Sequence, residues 1–279
     1  MLSWATYVEA GDEKHIPRAV YLATDSRITW GSADRRWEAG RKTFAPATLP
    51  HLFGYSGDVV LPGLLLGQIT SAIDAGILID PAATAQLQHE AVLEAIRAGV
   101  AAAKSTPTLD FTIHHLMRDR TWPDTSFRAW TINYTAATNA CVSNELTLPA
   151  VTGVIAAFGS GAKAAEAEVR RWTDSEIGDR SRAILSGFQD AIASGADPLS
   201  GGAAQLAGLY MQGPPVQIGF IVGGKRYLNG LEVGITPLLK NVEWRDGLGQ
   251  NCDPRTGKAK QGARRYGRPA TLVKPPAKA

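Results

Sequence analysis

Strand-forming stretches alternate with pairs of helix-forming ones along this chain, and that order restricts the folds open to it. Residues 3–10 and 18–24 are rich in strand formers and flank a polar, turn-forming stretch at 11–17, which predicts an opening β-hairpin. Short strands are expected near 42–44 and 52–55. Apolar residues then recur at helical spacing over 58–75 and over 84–104, where Leu87, Ala91, Val92, Ala95 and Ile96 share a face. Strands are expected again at 111–117, 127–134, 140–146 and 151–157, and helices at 162–172 and 182–193. A hairpin at 216–222 and 226–231, turning at Gly223-Gly224, closes the series. Runs of strands separated by helix pairs fit α+β layers, and two sheets between two helical layers accommodate the order. Periodicity alone leaves that as one option among several. Nothing breaks residues 1–243, which are taken as one domain.

The net charge of +3 conceals an asymmetry. From Arg245 onward nine Lys/Arg stand against Asp246 and Asp253, about +7, which leaves the first 244 residues at about −4. Residues 244–279 are also rich in Gly and Pro and poor in apolar residues, so a basic tail that is disordered or draped over a partner is expected there. A solubilising tail is the stronger reading of that charge and nucleic-acid binding the weaker one. The most apolar stretch, 59–69, is interrupted by Pro62 and Gly63 and is too short to span a bilayer. No charged leader with an apolar run opens the sequence, and Cys141 and Cys252 give no disulfide framework, so a cytoplasmic protein is expected. No metal or cofactor is expected: His114 and His115 are adjacent on a strand and point to opposite faces, and His15, His51 and His89 lack ligand spacing.

Several short constellations could carry chemistry. Asp25-Ser26-Arg27 ends the opening hairpin, and Lys42 follows seventeen residues after Asp25. Ser56-Gly57 sits where a strand turns into a helix. Gly159-Ser160-Gly161 opens a helix, and Asp197-Pro198-Leu199-Ser200-Gly201-Gly202 follows another. Singly, each has a structural explanation: an Asx turn at Asp25, a helix N-cap at Ser160, a solvated lysine at Lys42.

Taken together and in this order, they resemble the proteasome β-subunit family of N-terminal-nucleophile hydrolases, including its bacterial proteasome-like relatives. The resemblance runs from about residue 3 to residue 231. It implies a four-layer αββα sandwich and a ring-shaped homo-oligomer that cuts peptide or amide bonds in peptide or protein substrates. The first mature residue supplies the nucleophile, and its own α-amine serves as the base. By the same resemblance Lys42, held by Asp25, provides the positive field beside that amine. The N–H of Gly57 faces the oxyanion, and Ser160, Asp197 and Ser200 surround the amine and its water. No Gly-x-x-x-x-Gly-Lys-Ser/Thr run is present, so nucleotide-driven unfolding of substrates calls for a separate ATPase or regulatory partner.

The family's nucleophile is a terminal threonine, whereas this sequence opens Met1-Leu2-Ser3-Trp4-Ala5-Thr6. Paired residues in a hairpin have a constant sum of residue numbers, and a turn centred near residue 14 sets that sum near 28, which pairs Ser3 with Asp25. Thr6 would lie about 10 Å further along the strand. Ser3 is therefore the expected nucleophile, and it requires removal of Met1 and Leu2. The alternative is a catalytically silent homologue that keeps Asp25 and Lys42 and serves as a scaffold or partner-binding subunit.

Overall fold

A computed structural model describes residues 4–10 (backbone alone), 17–103, 109–120, 123–263, 265, 267–270 and 272. Strands β1 (Trp4–Ala10) and β2 (Pro17–Thr24) form the opening hairpin. Partner numbers add to 28 from the Trp4–Thr24 pair through Glu9–Ala19, the register expected from the turn position. Next come β3 (Ile28–Trp30), β4 (Ser32–Trp37), β5 (Thr43–Phe44) and β6 (His51–Gly57), followed by α1 (Val60–Asp74) and α2 (Ala85–Ala102). Thr84 caps α2 by accepting the Leu87 N–H at 3.3 Å. The middle of the chain holds β7 (Phe111–Arg120), β8 (Ser126–Thr135), β9 (Ala140–Leu146) and β10 (Gly153–Phe158), then α3 (Ala162–Thr173) and α4 (Ser181–Ser194). It closes with β11 (Gln205–Tyr210), β12 (Val216–Val222), β13 (Lys225–Leu228), β14 (Leu231–Val233) and β15 (Glu243–Asp246).

The strands make three sheets among the described residues. The largest runs β10-β1-β2-β11-β12-β13-β14, and β15 joins it parallel to β12. The second is β5-β6-β7-β8-β9, and β3-β4 stands apart as a two-stranded hairpin. Helices α1 and α2 bury Leu66, Ile69, Val92 and Ile96 against the five-stranded sheet through Phe53, Ile113 and Ile132. Helices α3 and α4 bury Ala165, Ile184 and Phe188 against the larger sheet through Tyr21, Leu206 and Phe220. A smaller core joins Val20, Leu22 and Leu209 to Leu52, Leu116 and Phe127.

This architecture corrects the expected four-layer αββα sandwich. The chain is sheet-rich, with several largely antiparallel sheets, and two regions depart from a plain stack of two sheets between two helical layers. Residues 28–37, which carried no expected strand, form the separate β3-β4 sheet. The last part of the chain makes the large sheet fork at β12, which pairs β11, β13 and β15. That fork has its own core of Ile221, Leu239, Trp244 and Cys252. Strand β11 also went unread: five of its six residues are buried, so its face pattern does not alternate as a half-exposed strand would.

Of the disordered tail expected over 244–279, the described residues up to 272 are packed against the rest of the chain. Strand β15 crosses the proposed boundary, with Trp244 fully buried and its Nε1–H donated to Leu239 O at 2.7 Å. Arg268 makes two 2.6 Å hydrogen bonds to Asp190, and its guanidinium lies 5.0 Å from the Trp172 ring centroid. Composition misjudged the segment because a few apolar residues (Trp244, Cys252, Leu272) are almost entirely buried, and arginine can anchor to a carboxylate as readily as it can face water. Among the described residues no helix is long and apolar enough to cross a membrane.

Candidate functional site

Strand β2 delivers Asp25 just past its last residue, into a pocket with no exposed carboxylate surface. Lys42 enters one residue ahead of β5 and is equally buried, with Nζ 3.1 Å from Asp25 Oδ1. The same ammonium hydrogen-bonds Arg27 O. Asp25 Oδ2 accepts two backbone N–H groups, from Arg27 at 3.1 Å and from Gly201 at 2.9 Å. Burial drives both members toward their neutral forms. It lowers Lys42 to about 8 against the attraction of Asp25, and it raises Asp25 against the attraction of Lys42 and its two N–H donors. The ammonium therefore loses its proton far more readily than a lysine in water.

Gln205, at the start of β11, holds this pair in place. Its Oε1 accepts the Lys42 N–H at 3.0 Å, and its Nε2 donates to Gly40 O at 2.7 Å and to Asp25 O at 3.2 Å. Gln205 was not among the residues expected at the site. Its one available signal was a polar residue opening an otherwise apolar run, which reads equally well as a strand's edge.

A second carboxylate lies on the loop after α4. Asp197 Oδ2 accepts the hydroxyls of Ser160 and Ser200, each at 2.6 Å, and Oδ1 accepts the Leu199 N–H at 3.1 Å. Burial alone would raise this carboxyl, but those three donors hold it below its ordinary value. Ser160 thus spends its hydroxyl on Asp197 and makes no cap: the N-cap of α3 is Gly161, with no side-chain hydrogen bond. The two carboxylates are joined through the chain, because Ser200 binds Asp197 while the next residue, Gly201, donates to Asp25. Arg27 clamps the same loop, donating from Nη1 to Pro198 O at 2.7 Å. Gly202 (φ +72°) admits no side chain, since a Cβ would meet Glu38 O and Ser26 Oγ, each at 2.4 Å.

Gly57 ends β6 with φ +96°, a conformation that excludes side chains here because a Cβ would lie 2.3 Å from Asp110 O. The pairing of Thr43 with Gly54, extended by one residue, sets Lys42 opposite Tyr55. Gly57 is two residues further along, about 7 Å at the usual strand rise. The Tyr55 hydroxyl ties the two segments together by donating to Arg41 O at 3.2 Å. The structure therefore brings Asp25, Lys42, Ser160, Asp197 and Ser200 into one connected network and leaves Gly57 beside it. Ser3 lies outside the described residues. Thr6 pairs with Leu22, three positions along β1–β2 from where Asp25 begins.

The histidines contradict the sequence reading at one point. His114 and His115 do face opposite ways, His114 toward Phe158 and His115 toward α2. His51 and His89, read as scattered, converge on His115. His15 lies outside the described residues. No protein-family model matches the chain and no curated protein matches it, which leaves the geometry of Asp25, Lys42 and the 197–201 loop as the basis for assigning chemistry.

Proposed function

We propose that this chain is a proteasome-like amidohydrolase of the N-terminal-nucleophile type, acting on peptide or amide bonds in a cytoplasmic ring assembly. The observation that carries the proposal is the buried Lys42–Asp25 pair, coupled through Gly201 to Asp197, Ser160 and Ser200 at the end of the opening hairpin. A fully buried ammonium is costly to retain as structure alone, whereas a positive charge held beside the reacting amine is what this chemistry uses. The constant register of β1–β2, with Trp4 opposite Thr24, supports Ser3 as the nucleophile opposite Asp25.

In this reading removal of Met1 and Leu2 frees the α-amine of Ser3. That amine takes the Ser3 hydroxyl proton as the oxygen attacks the carbonyl, then passes it to the leaving amine. Water hydrolyses the acyl-serine in a second pass through the same steps. Lys42 keeps the amine neutral by its field, the Gly57 N–H receives the oxyanion, and Asp197 with its two serines orients the amine. Assembly would use the outer face of α1 and α2. Leu65 and Leu66 turn into the core, but Val60, Leu64 and Leu87 remain more than half exposed.

The test is protein beginning at Ser3, released from a removable tag. It should hydrolyse small peptide amides and acquire a covalent adduct on Ser3 from an electrophilic inhibitor, and Ser3→Ala should abolish both. Neither turnover nor adduct from folded protein would leave the scaffold reading in its place.

A further inference from the structure

Five side chains from β6, α2, β7 and β9 form one continuous hydrogen-bonded line beneath α2. Gln88 Oε1 lies 3.1 Å from His51 Nε2, and His51 Nδ1 lies 2.8 Å from His115 Nε2. His115 Nδ1 lies 2.9 Å from His89 Nδ1, and His89 Nε2 lies 2.7 Å from Ser143 Oγ. The three imidazoles are essentially inaccessible, at 0%, 0% and 1% exposure for His51, His115 and His89. Strand geometry explains the alignment. Phe53 pairs with His115, His115 with Trp130 and Trp130 with Glu145. Residues two apart share a face, so His51, His115 and Ser143 all look toward α2. Trp130 stacks on His89 at 4.4 Å between ring centroids and 7° between planes, which fixes the ring at the end of the line.

The direction of the line follows from its inner end. Gln88 donates its Nε2–H to Ala83 O at 2.8 Å, which leaves Oε1 as an acceptor toward His51. A neutral imidazole donates from one nitrogen and accepts at the other. His51 therefore donates to Gln88 and accepts from His115, and His115 accepts from His89. The outer nitrogen of His89 is then an acceptor with one partner, and the Ser143 hydroxyl must donate to it. Burial, helped by the charge of Arg128, holds His89 down to about 4, and burial lowers His51 to about 4 and His115 well below its usual value, so all three rings are neutral near pH 7.

Ser143 is partly exposed, and it opens with His89 into a cleft of about 630 Å³ that Glu90, Arg97, Cys141 and Glu145 also line. We propose that Ser143 is a second nucleophile of this protein, with His89 as its general base and His115, His51 and Gln88 as the residues that orient that base, and that the cleft accepts small activated acyl esters. The proposal is independent of the Lys42 site. The serine oxygen forms a bond to the acyl carbon while its proton passes to His89, and the alcohol leaves with that proton. Water then cleaves the acyl-serine by the same transfers in reverse. The His89–His115 hydrogen bond takes the orienting role that a carboxylate plays in other serine–histidine pairs. Arg97, which pairs with Glu94 at 2.6 Å and donates to Cys141 O at 3.2 Å, is a cation lining the same cleft.

The full chain, treated with a small fluorophosphonate, tests this directly. The Ser143 oxygen would bond to phosphorus, fluoride would leave, and the serine proton would pass through His89 to solvent. Peptide mass mapping should place the adduct on Ser143. His89→Gln should slow the labelling on the order of 100-fold if the base contributes as general bases do. The labelling rate should rise with pH to a plateau set by an imidazole that titrates near 4 among Glu90, Glu145, Arg128 and His115, and should show no step near 6.5. Folding of each variant is checked by its thermal transition. If His89→Gln fails to fold, Ser143→Cys, alkylated in the same cleft with the pH profile of a thiol beside a base, answers in its place. Adducts only on other residues of folded protein would overturn the proposal, as would labelling of Ser143 at an unchanged rate in folded His89→Gln.

Discussion

The Asp25–Lys42 centre and the His51–His115–His89 line are both sealed from solvent, yet they satisfy burial by opposite means. The first keeps two ionisable groups of opposite sign 3.1 Å apart and gives the carboxylate two backbone N–H groups besides the ammonium. The second carries no net charge near pH 7, because each imidazole supplies one donor and one acceptor and the line closes on an amide carbonyl. A buried ion pair stands or falls with its partner, since loss of either member strands a charge in a poor dielectric. A neutral relay loses one hydrogen bond at a time, a smaller cost per change. The first arrangement is brittle to substitution and the second to acid.

The largest expected effect breaks the ionic centre. Lys42→Met leaves Asp25 buried without its counter-charge and should cost about 3–5 kcal/mol in denaturant unfolding. Asp25→Asn combined with Lys42→Met removes both charges and should recover most of that loss. A double variant no more stable than Lys42→Met alone would show that the two groups do not act as a pair.

The difference between the two regions also explains what the sequence revealed. Asp25, Lys42, Ser160, Asp197 and Ser200 could be singled out because each sits in a short local pattern, at the edge of a strand or helix or in the loop that follows one. Their order along the chain made a recognisable set. The opening hairpin was legible to its register, because the turn-forming stretch fixes where the two strands cross. The imidazole line has no such signature. Its members come from β6, α2, β7 and β9, and only strand register together with the lie of α2 brings them within hydrogen-bond reach. Gln205 was hidden in the same way, inside a strand whose burial on both faces erased the alternation that would have announced it. The tail was misjudged because composition averages over a segment, whereas Trp244 and Arg268 act as single anchors.

A smaller effect, from pH, sharpens the comparison from the neutral side. His51 and His89 titrate near 4 in the folded chain, while an unfolded histidine titrates near 6.5. The unfolded state therefore binds protons first as pH falls, so the stability that depends on neutral imidazoles is complete above about 6.5 and is lost as pH drops toward 4. Asp25, which burial raises, acts in the opposite sense over part of that range. The slope should accordingly be taken as the difference between the wild type and His51→Gln, measured by urea unfolding at each pH. That difference should amount to about 2 kcal/mol between pH 6.5 and 4. Parallel curves would mean that His51 takes up its proton at the same pH folded and unfolded, so that burial does not hold it neutral.

The smallest effect comes from an ion pair that is largely buried but not sealed from water. Arg268 and Asp190 make a bidentate pair with side chains 23% and 11% exposed, and Asp190 also accepts the Trp172 Nε1–H at 2.8 Å. If burial is what makes the Asp25–Lys42 pair so sensitive, Arg268→Ala should cost far less than Lys42→Met. Water can reach the carboxylate that is left behind, and the indole still donates to it. About 1 kcal/mol is expected. The loss should be felt locally, because Arg268 is the charged anchor of a segment otherwise held through Leu272 against Trp172 and Ala183. Proteolysis under native conditions should therefore cut the chain after residue 250 faster in Arg268→Ala, while cleavage elsewhere and the main unfolding transition scarcely move. A global loss as large as that of Lys42→Met would show that solvent access does not separate the two pairs, and the contrast between sealed and half-open ionic contacts would have to be abandoned.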